Sequence, residues 1–92
     1  MRDCLYAPRP NPASGSATIH FALTRPGHVQ LAIHDVSGRE VRRLQDAVQA
    51  AGEYAVTWNG EDNRAQRTPQ GVYWIRLSVD GKSVSRKMLL LR

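Results

Sequence analysis

The chain has 92 residues, a formal net charge of +5 and 41% hydrophobic residues. This length fits one domain, and the hydrophobic content supports a thin core and is too high for a disordered chain. The longest apolar run, residues 88–91, is far shorter than the roughly 18 residues that a membrane-spanning helix needs. The composition therefore excludes helical insertion into a membrane and favours one small globular domain.

The N-terminal segment carries no secretion signal. Residues 1–6 lack the apolar stretch of a signal peptide. We therefore expect the chain either to be cytoplasmic or to be the tail of a longer precursor whose signal lies upstream. Cys4 is the only cysteine, so an internal disulfide is excluded. The proline-rich residues 1–12 are typical of a stiff, extended lead-in, which places the domain at residues 13–92.

The basic residues are scattered along the chain. A pI near 10.1 invites comparison with nucleic-acid-binding proteins. The sequence nevertheless contains no dense basic run of five to eight residues and no pattern of a recognition helix. We expect a solvated basic surface and no nucleic-acid partner.

Alternation of apolar and polar residues is the main structural signal. It predicts strands at residues 18–23, 28–35, 54–58 and 72–79, each with one apolar face. A further strand begins at Lys82 and runs to the end, and short strands are predicted from residue 40 and near residues 5–7. The residues expected to point inward are Ile19, Phe21, Leu23, Val29, Leu31, Ile33, Tyr54, Val56, Trp58, Tyr73, Ile75, Leu77 and Val79. About seven short strands predict an all-β fold, an antiparallel β-sandwich.

Turn residues separate these strands. Pro26-Gly27 predicts a turn in which the glycine takes positive φ, and Ser37-Gly38 predicts a second turn. Asp80-Gly81 is the strongest hairpin signal, a two-residue type I′ turn.

Residues 40–51 fit two patterns. Val41, Leu44, Val48 and Ala51 have the spacing of one helix face as well as lying in a β-rich context. We favour a short strand followed by a loop, because a lone helix among such short strands has no natural packing partner.

The sequence contains no pattern of an active site. The three histidines occupy outward positions on the first two predicted strands, and no zinc motif is present. No serine lies in a Gly-x-Ser-x-Gly turn, and no glycine-rich phosphate loop occurs. We expect no enzyme activity, no cofactor and no catalytic or metal-ligating residues.

Two features, the Asn59–Asn63 loop and Trp74, could form binding sites but have simpler explanations. The Asn59–Asn63 loop has oxygen ligands suited to calcium, but it lacks the EF-hand spacing, and Asx turns explain it equally. Trp74 lies opposite in parity to its apolar neighbours and is expected to be half exposed, which could favour sugar stacking. One aromatic residue is too little for a sugar platform.

The last strand is apolar on both faces from Met88 onward. A half-buried strand in a small sandwich needs only one apolar face. Two explanations remain open. Either Leu5 and Tyr6 cover the second face, or a partner protein reads the segment as an added strand.

Short motifs in a fixed order connect the chain to a known family. They are Asn11-Pro12, Leu31 to Arg39, Ala51-Gly52, Trp58 to Asp62, Gly71-Val72-Tyr73 and Arg86-Lys87-Met88. Together they resemble the type A C-terminal sorting domain of type IX secretion cargo, which is similar to the Ig-like domain of the flagellar hook capping protein. The resemblance covers residues 11–92.

The resemblance implies an Ig-like β-sandwich at the carboxyl end of a secreted protein, read by an outer-membrane translocon and often removed after export. It implies that translocon recognition involves Lys87, Met88, Leu89, Leu90 and Leu91. It implies structural roles for the family-motif residues Asn11, Pro12, Asp35, Gly38, Arg39, Gly52, Trp58, Gly60, Asp62, Gly71 and Tyr73. The expected partners are the secretion translocon and an upstream cargo domain of the same precursor.

The expected molecule is a monomer, secreted or held at the cell surface after passing through the periplasm. Two alternatives stay open: a structural Ig-like spacer on an extracellular enzyme, and a flagellar-hook-type assembly domain. Ala65 replaces a usual glycine, so the turn there is expected to be built differently. Ala47 and Ala50 replace usual glycine and proline residues, which would allow a helical turn.

Overall fold

A computed structural model describes residues 3–92 as eight β-strands. The strands are β1 (Cys4–Leu5), β2 (Ala13–Ser14), β3 (Ala17–Leu23), β4 (Gly27–His34), β5 (Glu40–Gln49), β6 (Gly52–Trp58), β7 (Gly71–Val79) and β8 (Lys82–Leu91). The described residues contain no helix, and hence none able to span a membrane. The predicted all-β fold is confirmed.

The strands form two sheets that face each other. The smaller sheet has the order β1-β3-β6, and the larger has the order β2-β8-β7-β4-β5. All neighbouring strands are antiparallel except β2 and β8, which run parallel through two residue pairs. Along the chain, β4 and β5 are consecutive strands of the larger sheet, as are β7 and β8, and every other connection passes from one sheet to the other.

The core lies between the sheets and consists of the side chains that alternation assigns to the inner faces. Fully buried members come from both sheets. In β3, β4 and β7 they recur at every second residue, because successive side chains of a strand point to opposite faces of the sheet. The largest are Trp58, Phe21, Ile19, Leu23, Leu31, Ile33, Ile75, Leu77, Met88, Leu90 and Val29. The inward predictions for β3, β4 and β7 are confirmed, although Val79 is only partly buried.

Two turn predictions are confirmed and one is wrong. Asp80 and Gly81 have φ values of 49° and 85°, as a type I′ hairpin between β7 and β8 requires. Gly38 has φ 87° in the turn after β4. Gly27, however, is the first residue of β4 and does not take positive φ. Its lack of a side chain serves close packing instead, since a Cβ there would lie 2.7 Å from Asp80 Oδ2.

Residues 40–49 form one continuous ten-residue strand, so the expected short strand and loop is wrong, as is the helical alternative. The pairing of β5 with β4 shifts twice, leaving Val41 and Leu44 as extra residues on β5. Each bulge interrupts the two-residue alternation. That interruption places apolar residues three apart and imitates the spacing of a helix.

The described part of the expected lead-in packs on the sandwich. Leu5 is 5% exposed and belongs to the core. Arg9 and Thr18 exchange two backbone hydrogen bonds of 3.1 and 2.7 Å. Met1 and Arg2 lie outside the described residues.

Candidate interaction face

The terminal strand separates the five residues expected to contact a translocon into two groups. Met88 and Leu90 are 0% exposed and belong to the core. Leu89 and Leu91 are 37% and 40% exposed, and Lys87 is exposed beside them. Only Lys87, Leu89 and Leu91 are therefore available to a partner in the folded domain.

The outward leucines continue onto the neighbouring strand. Leu89 lies directly opposite Val72 of β7, and Lys87 lies directly opposite Trp74. Val72 and Trp74 are 37% and 40% exposed, so the expectation of a half-exposed Trp74 is confirmed. Directly opposite residues on one sheet face are close enough for their side chains to touch. We call Val72, Trp74, Leu89 and Leu91 the outer patch.

Leu5 does not cover this patch. Leu5 lies in the core, on the opposite sheet, and the carbonyl oxygen of Leu5 accepts a 2.9 Å hydrogen bond from Arg86 Nε. Tyr6 is itself 45% exposed and its N–H binds His20 of β3. The explanation in which the N-terminal residues cover the second face of β8 is therefore wrong.

The backbone edge of β8 is occupied near its end. Ala13 and Ser14 of β2 pair with Leu90 and Leu91. The Asn11 side chain donates to Lys87 O at 3.4 Å and accepts from Leu89 N at 3.1 Å. Because both edges of this stretch have partners, residues 87–91 cannot serve as an added strand in a partner's sheet while the domain stays folded. A partner can contact their outward side chains.

Arg92 connects the end of β8 to the loop between β6 and β7. Its guanidinium donates to Gly60 O at 2.6 Å and to Thr68 O at 3.0 Å. Its backbone N–H donates to Gln70 Oε1 at 3.1 Å. Gly60 must be a glycine here, since a Cβ would lie 2.5 Å from Gly15 O. Sequence reasoning missed this clamp, because a lone arginine gives no signal of its distant partners.

Three family-motif residues stabilise the turn between β4 and β5, which we call the β4–β5 turn. Asp35 accepts hydrogen bonds from Ser37 Oγ at 2.6 Å and from the Arg39 N–H at 3.1 Å. The Arg39 side chain is largely exposed and lies 3.4 Å from Asp35. The hydroxyl of Ser37 holds the pKa of Asp35 below its usual value of 3.8. Asp35, Gly38 and Arg39 thus form the turn between β4 and β5.

Most of the remaining motif residues lie in or beside the loop between β6 and β7, which we call the long loop. Trp58 is buried, donates from Nε1 to Glu61 O at 2.9 Å and packs edge-on against Tyr73 at 5.3 Å. Asp62 accepts from the backbone N–H groups of Arg64 and Gln66 at 2.9 and 3.0 Å. Gly52 begins β6, Gly71 begins β7, and Asn11-Pro12 leads into β2. These positions stabilise the domain's loops and contribute no side chain to the outer patch.

Ala65 adopts a left-handed backbone conformation in this loop. Its φ is 62°, and its N–H donates to Asp62 O at 3.0 Å. Glycine adopts such a conformation readily, whereas it is unfavourable for a residue with a Cβ. That the turn is built differently from the turn of its relatives stays a prediction.

A cleft of about 610 Å³ lies between the β4–β5 turn and the long loop. Its carboxylates are already used: Asp35 as described above, and Asp62 through backbone donors, chiefly the Gln66 N–H, which hold its pKa below 3.8. Asn59 Oδ1 accepts from the Glu61 N–H at 3.0 Å, which is an Asx turn. Within residues 3–92, no three His, Cys, Asp or Glu side chains gather as a metal site would require.

Comparison with protein families gives one match. The model of the FlgD Ig-like domain matches residues 10–83, which is most of the chain. The chain belongs to the FlgD Ig-like domain family. Comparison with curated proteins gives no match.

Solved structures share the fold of this FlgD Ig-like domain. PorU from Porphyromonas gingivalis, in its dimeric latent form, superposes with a TM-score of 0.77 at 22% identity over 99% of this chain. PorZ from the same organism, an essential surface component of the type IX secretion system, gives 0.66 at 23% identity over 96%. The chain spans only 10% of PorU and 11% of PorZ.

FlgD from Xanthomonas campestris, a protein of flagellar hook capping, gives a TM-score of 0.64 at 30% identity. That match covers 96% of this chain and 66% of FlgD. The match to the FlgD Ig-like domain model stops at residue 83. The second half of β8, with Leu89 and Leu91 of the outer patch, lies beyond it.

Proposed function

We propose that this Ig-like domain is a non-catalytic C-terminal module of a larger secreted protein, which directs export through the type IX secretion system and attachment at the cell surface. Its partners are the secretion translocon and an upstream cargo domain of the same precursor. The protein reaches the surface through the periplasm. Neither nucleic acid nor membrane insertion has a role.

The observation that carries the proposal is the exposure of Leu89 and Leu91 at the end of β8. Leu89 and Leu91 point away from the core and contribute nothing to its packing. Apolar side chains exposed next to each other in this way are typical of an interaction site. The fold likeness to PorU and PorZ supports export by the type IX system, and the sequence motifs support a sorting role for this segment.

Deleting residues 87–92 is the direct test, and we expect such a precursor to stay in the periplasm. The deletion also removes Met88 and Leu90 from the core, so misfolding would give the same result. A sharper test changes only outward side chains, with Leu89→Ser and Leu91→Ser together in the full precursor. We expect surface display to fall at least about tenfold, the effect of losing interface anchors.

The chain offers a matched control. Val48 is 75% exposed and pairs with His28 at the opposite end of β4 from His34, the residue that pairs with Trp74. Val48→Ser should leave display unchanged. Normal display of the double leucine variant, with its fold verified by circular dichroism, would refute the sorting role.

The family match favours a second candidate, a structural spacer or a flagellar-hook-type assembly domain. It is favoured by the 30% identity to the hook-capping FlgD over 96% of the chain. Deleting the whole module would then alter the stability or assembly of its protein and leave export intact. Fractionation of cells carrying that deletion distinguishes the two candidates.

A further inference from the structure

The outer patch extends the terminal strand's recognition surface to β7. Val72 and Trp74 expose as much of their side chains as Leu89 and Leu91 do, and they lie on the adjacent strand. Trp74 is the largest of the four and has His34 of β4 opposite it on its other side. Buried aromatic residues contribute most to protein interfaces. The geometry therefore makes Trp74 a central anchor.

The charges around the patch have one sign. Strands β7 and β8 contain four basic residues and no acidic residue. Two of these, Arg76 and Lys87, share the outer face with Trp74. The Lys87 side chain makes no hydrogen bond or ion pair with any described residue, and Arg76 binds only Ser83 Oγ, at 3.2 Å. No carboxylate neutralises either cation.

The two acidic residues in the strands of the larger sheet, Glu40 and Asp46, are already paired. Glu40 and Asp46 both bind Arg43 at 2.8 Å. Asp80 lies in the hairpin turn at the far end of β8, where it accepts from the His28 N–H. The two cations beside the patch are therefore available for charges on another molecule.

We infer that the outer face of β7 and β8 binds a protein whose contact surface is an apolar recess bordered by carboxylates. Trp74 and the two leucines fill the recess, and Lys87 and Arg76 meet the carboxylates. This inference rests on the proposed export function and names the chemistry of its partner. A protein fits better than an anionic membrane, because the patch is four side chains on a rigid sheet and the two cations lie on one side of it.

The experiment compares single variants of the full precursor by surface display. Trp74→Ser tests the anchor and Lys87→Glu tests the charge. Leu89→Ser with Leu91→Ser is the reference for the proposed function. Val48→Ser controls for loss of an exposed apolar side chain. Lys82→Glu, on the same strand and at the other end of it, controls for the change in net charge.

We expect Trp74→Ser to lower display at least about tenfold, as for an interface anchor. Lys87→Glu should lower it by about threefold to tenfold, with a larger effect at low salt, as for a charge at an interface rim. Both controls should display normally. All variants should remain folded with unfolding midpoints close to the wild-type value, since none of the changed side chains belongs to the core.

The outcomes separate the two proposals. If the variant with Leu89→Ser and Leu91→Ser loses surface display while Trp74→Ser and Lys87→Glu keep it, the sorting role stands and the inferred partner chemistry is wrong. If that double variant also displays normally, the sorting role itself fails. Co-sedimentation of the domain with phosphatidylglycerol–phosphatidylethanolamine vesicles tests the membrane. Binding that Trp74→Ser and Lys87→Glu abolish would assign the face to lipid and overturn the protein partner.

Discussion

Ala65 shows how a single residue can carry backbone strain that the sequence does not reveal. Its φ of 62° is costly for a residue with a Cβ and costs glycine almost nothing. Ala65→Gly should raise the free energy of unfolding by about 0.5–1 kcal/mol, because relief of strain exceeds the greater freedom of glycine in the unfolded chain. Urea unfolding measures the change.

Ala55 provides the matched control for that substitution. It lies in β6, pairs with His20 and does not have positive φ. Ala55→Gly should therefore destabilise the domain by about 0.5–1 kcal/mol, the usual cost of glycine in a strand. Destabilisation by both substitutions would contradict the strain argued for Ala65.

Three carboxyl groups make the domain sensitive to acid. The pKa of Asp35, Asp46 and Asp62 is held below 3.8, chiefly by the Ser37 hydroxyl, the His28 ring and the Gln66 N–H respectively. A carboxyl with a lower pKa in the folded state contributes stability above its unfolded pKa, and that stability is lost as the pH falls through the folded value. The free energy of unfolding should therefore fall as the pH drops below 3.8.

Asp35→Asn tests how much the β4–β5 turn contributes to this sensitivity to acid. Asparagine keeps an oxygen that can accept from the Ser37 and Arg39 N–H groups but does not titrate. The variant should lose less stability than wild type between about pH 5 and about pH 2.5, because in wild type the carboxyl, whose pKa is lowered, becomes protonated as the pH falls below 3.8. Urea unfolding at both pH values gives the comparison. An unchanged loss would mean that the turn is not a source of the acid sensitivity.

At the scale of elements, the alternation of β8 assigns different roles to neighbouring residues. Met88 is completely buried and Leu89 is 37% exposed. Met88→Ala should cost about 2–5 kcal/mol, as truncations in a packed core do. Leu89→Ala should cost under about 1 kcal/mol, as a surface change does. Equal costs, measured by urea unfolding, would show that β8 does not have this inward and outward division.

The sequence predicts an element well where alternation is uninterrupted. In β3, β4 and β7 most inward residues have a polar residue on at least one side, so the two faces follow from the sequence, and Tyr73, between Val72 and Trp74, is the exception. In β5 the extra residues Val41 and Leu44 break the alternation, so the pattern predicts only the start of the strand. A bulge depends on pairing with β4, which no local pattern records.

The outer patch was predictable only in part, again because strand pairing brings its residues together. The sequence shows that Met88 and Leu90 lie on one face of the last strand and Leu89 and Leu91 on the other, but it does not show which face is buried. Their continuation onto Val72 and Trp74 requires the register between β7 and β8. The Arg92 clamp on Gly60 and Thr68 requires the three-dimensional path of the loop. Contacts between distant residues follow from the fold and not from local spacing.

At the scale of the whole molecule, the described residues are anchored near both of their ends and leave one sheet face uncovered. Arg92 binds the long loop, Leu5 lies in the core, and Asn11 spans Lys87 and Leu89. The outward side chains of β7 and β8 are left uncovered. A rigid sheet with an exposed patch can contact a partner without rearranging, so the terminal strand need not unfold to be recognised.

The domain boundary expected at residue 13 can be tested on this basis. The fragment 13–92 lacks the buried Leu5, the pairing of β1 with β3 and the Asn11 hydrogen bonds to β8. Loss of a buried leucine side chain alone costs about 2–5 kcal/mol. Because a small domain is only about 5–15 kcal/mol stable, the fragment should unfold at much lower urea than the full chain, or not fold at all.

Leu5→Ala in the full chain is the companion variant, since it removes the core contact and keeps the backbone pairing. It should fall between the full chain and the fragment in its urea midpoint. Val36→Ala, at a side chain that is 76% exposed, serves as the unchanged reference. If the fragment 13–92 unfolds at the same urea concentration as the full chain, residues 3–12 are a lead-in with no part in the fold. If its midpoint drops as expected, the β-sandwich begins with β1, and any fusion or truncation of the module must preserve residues 3–12.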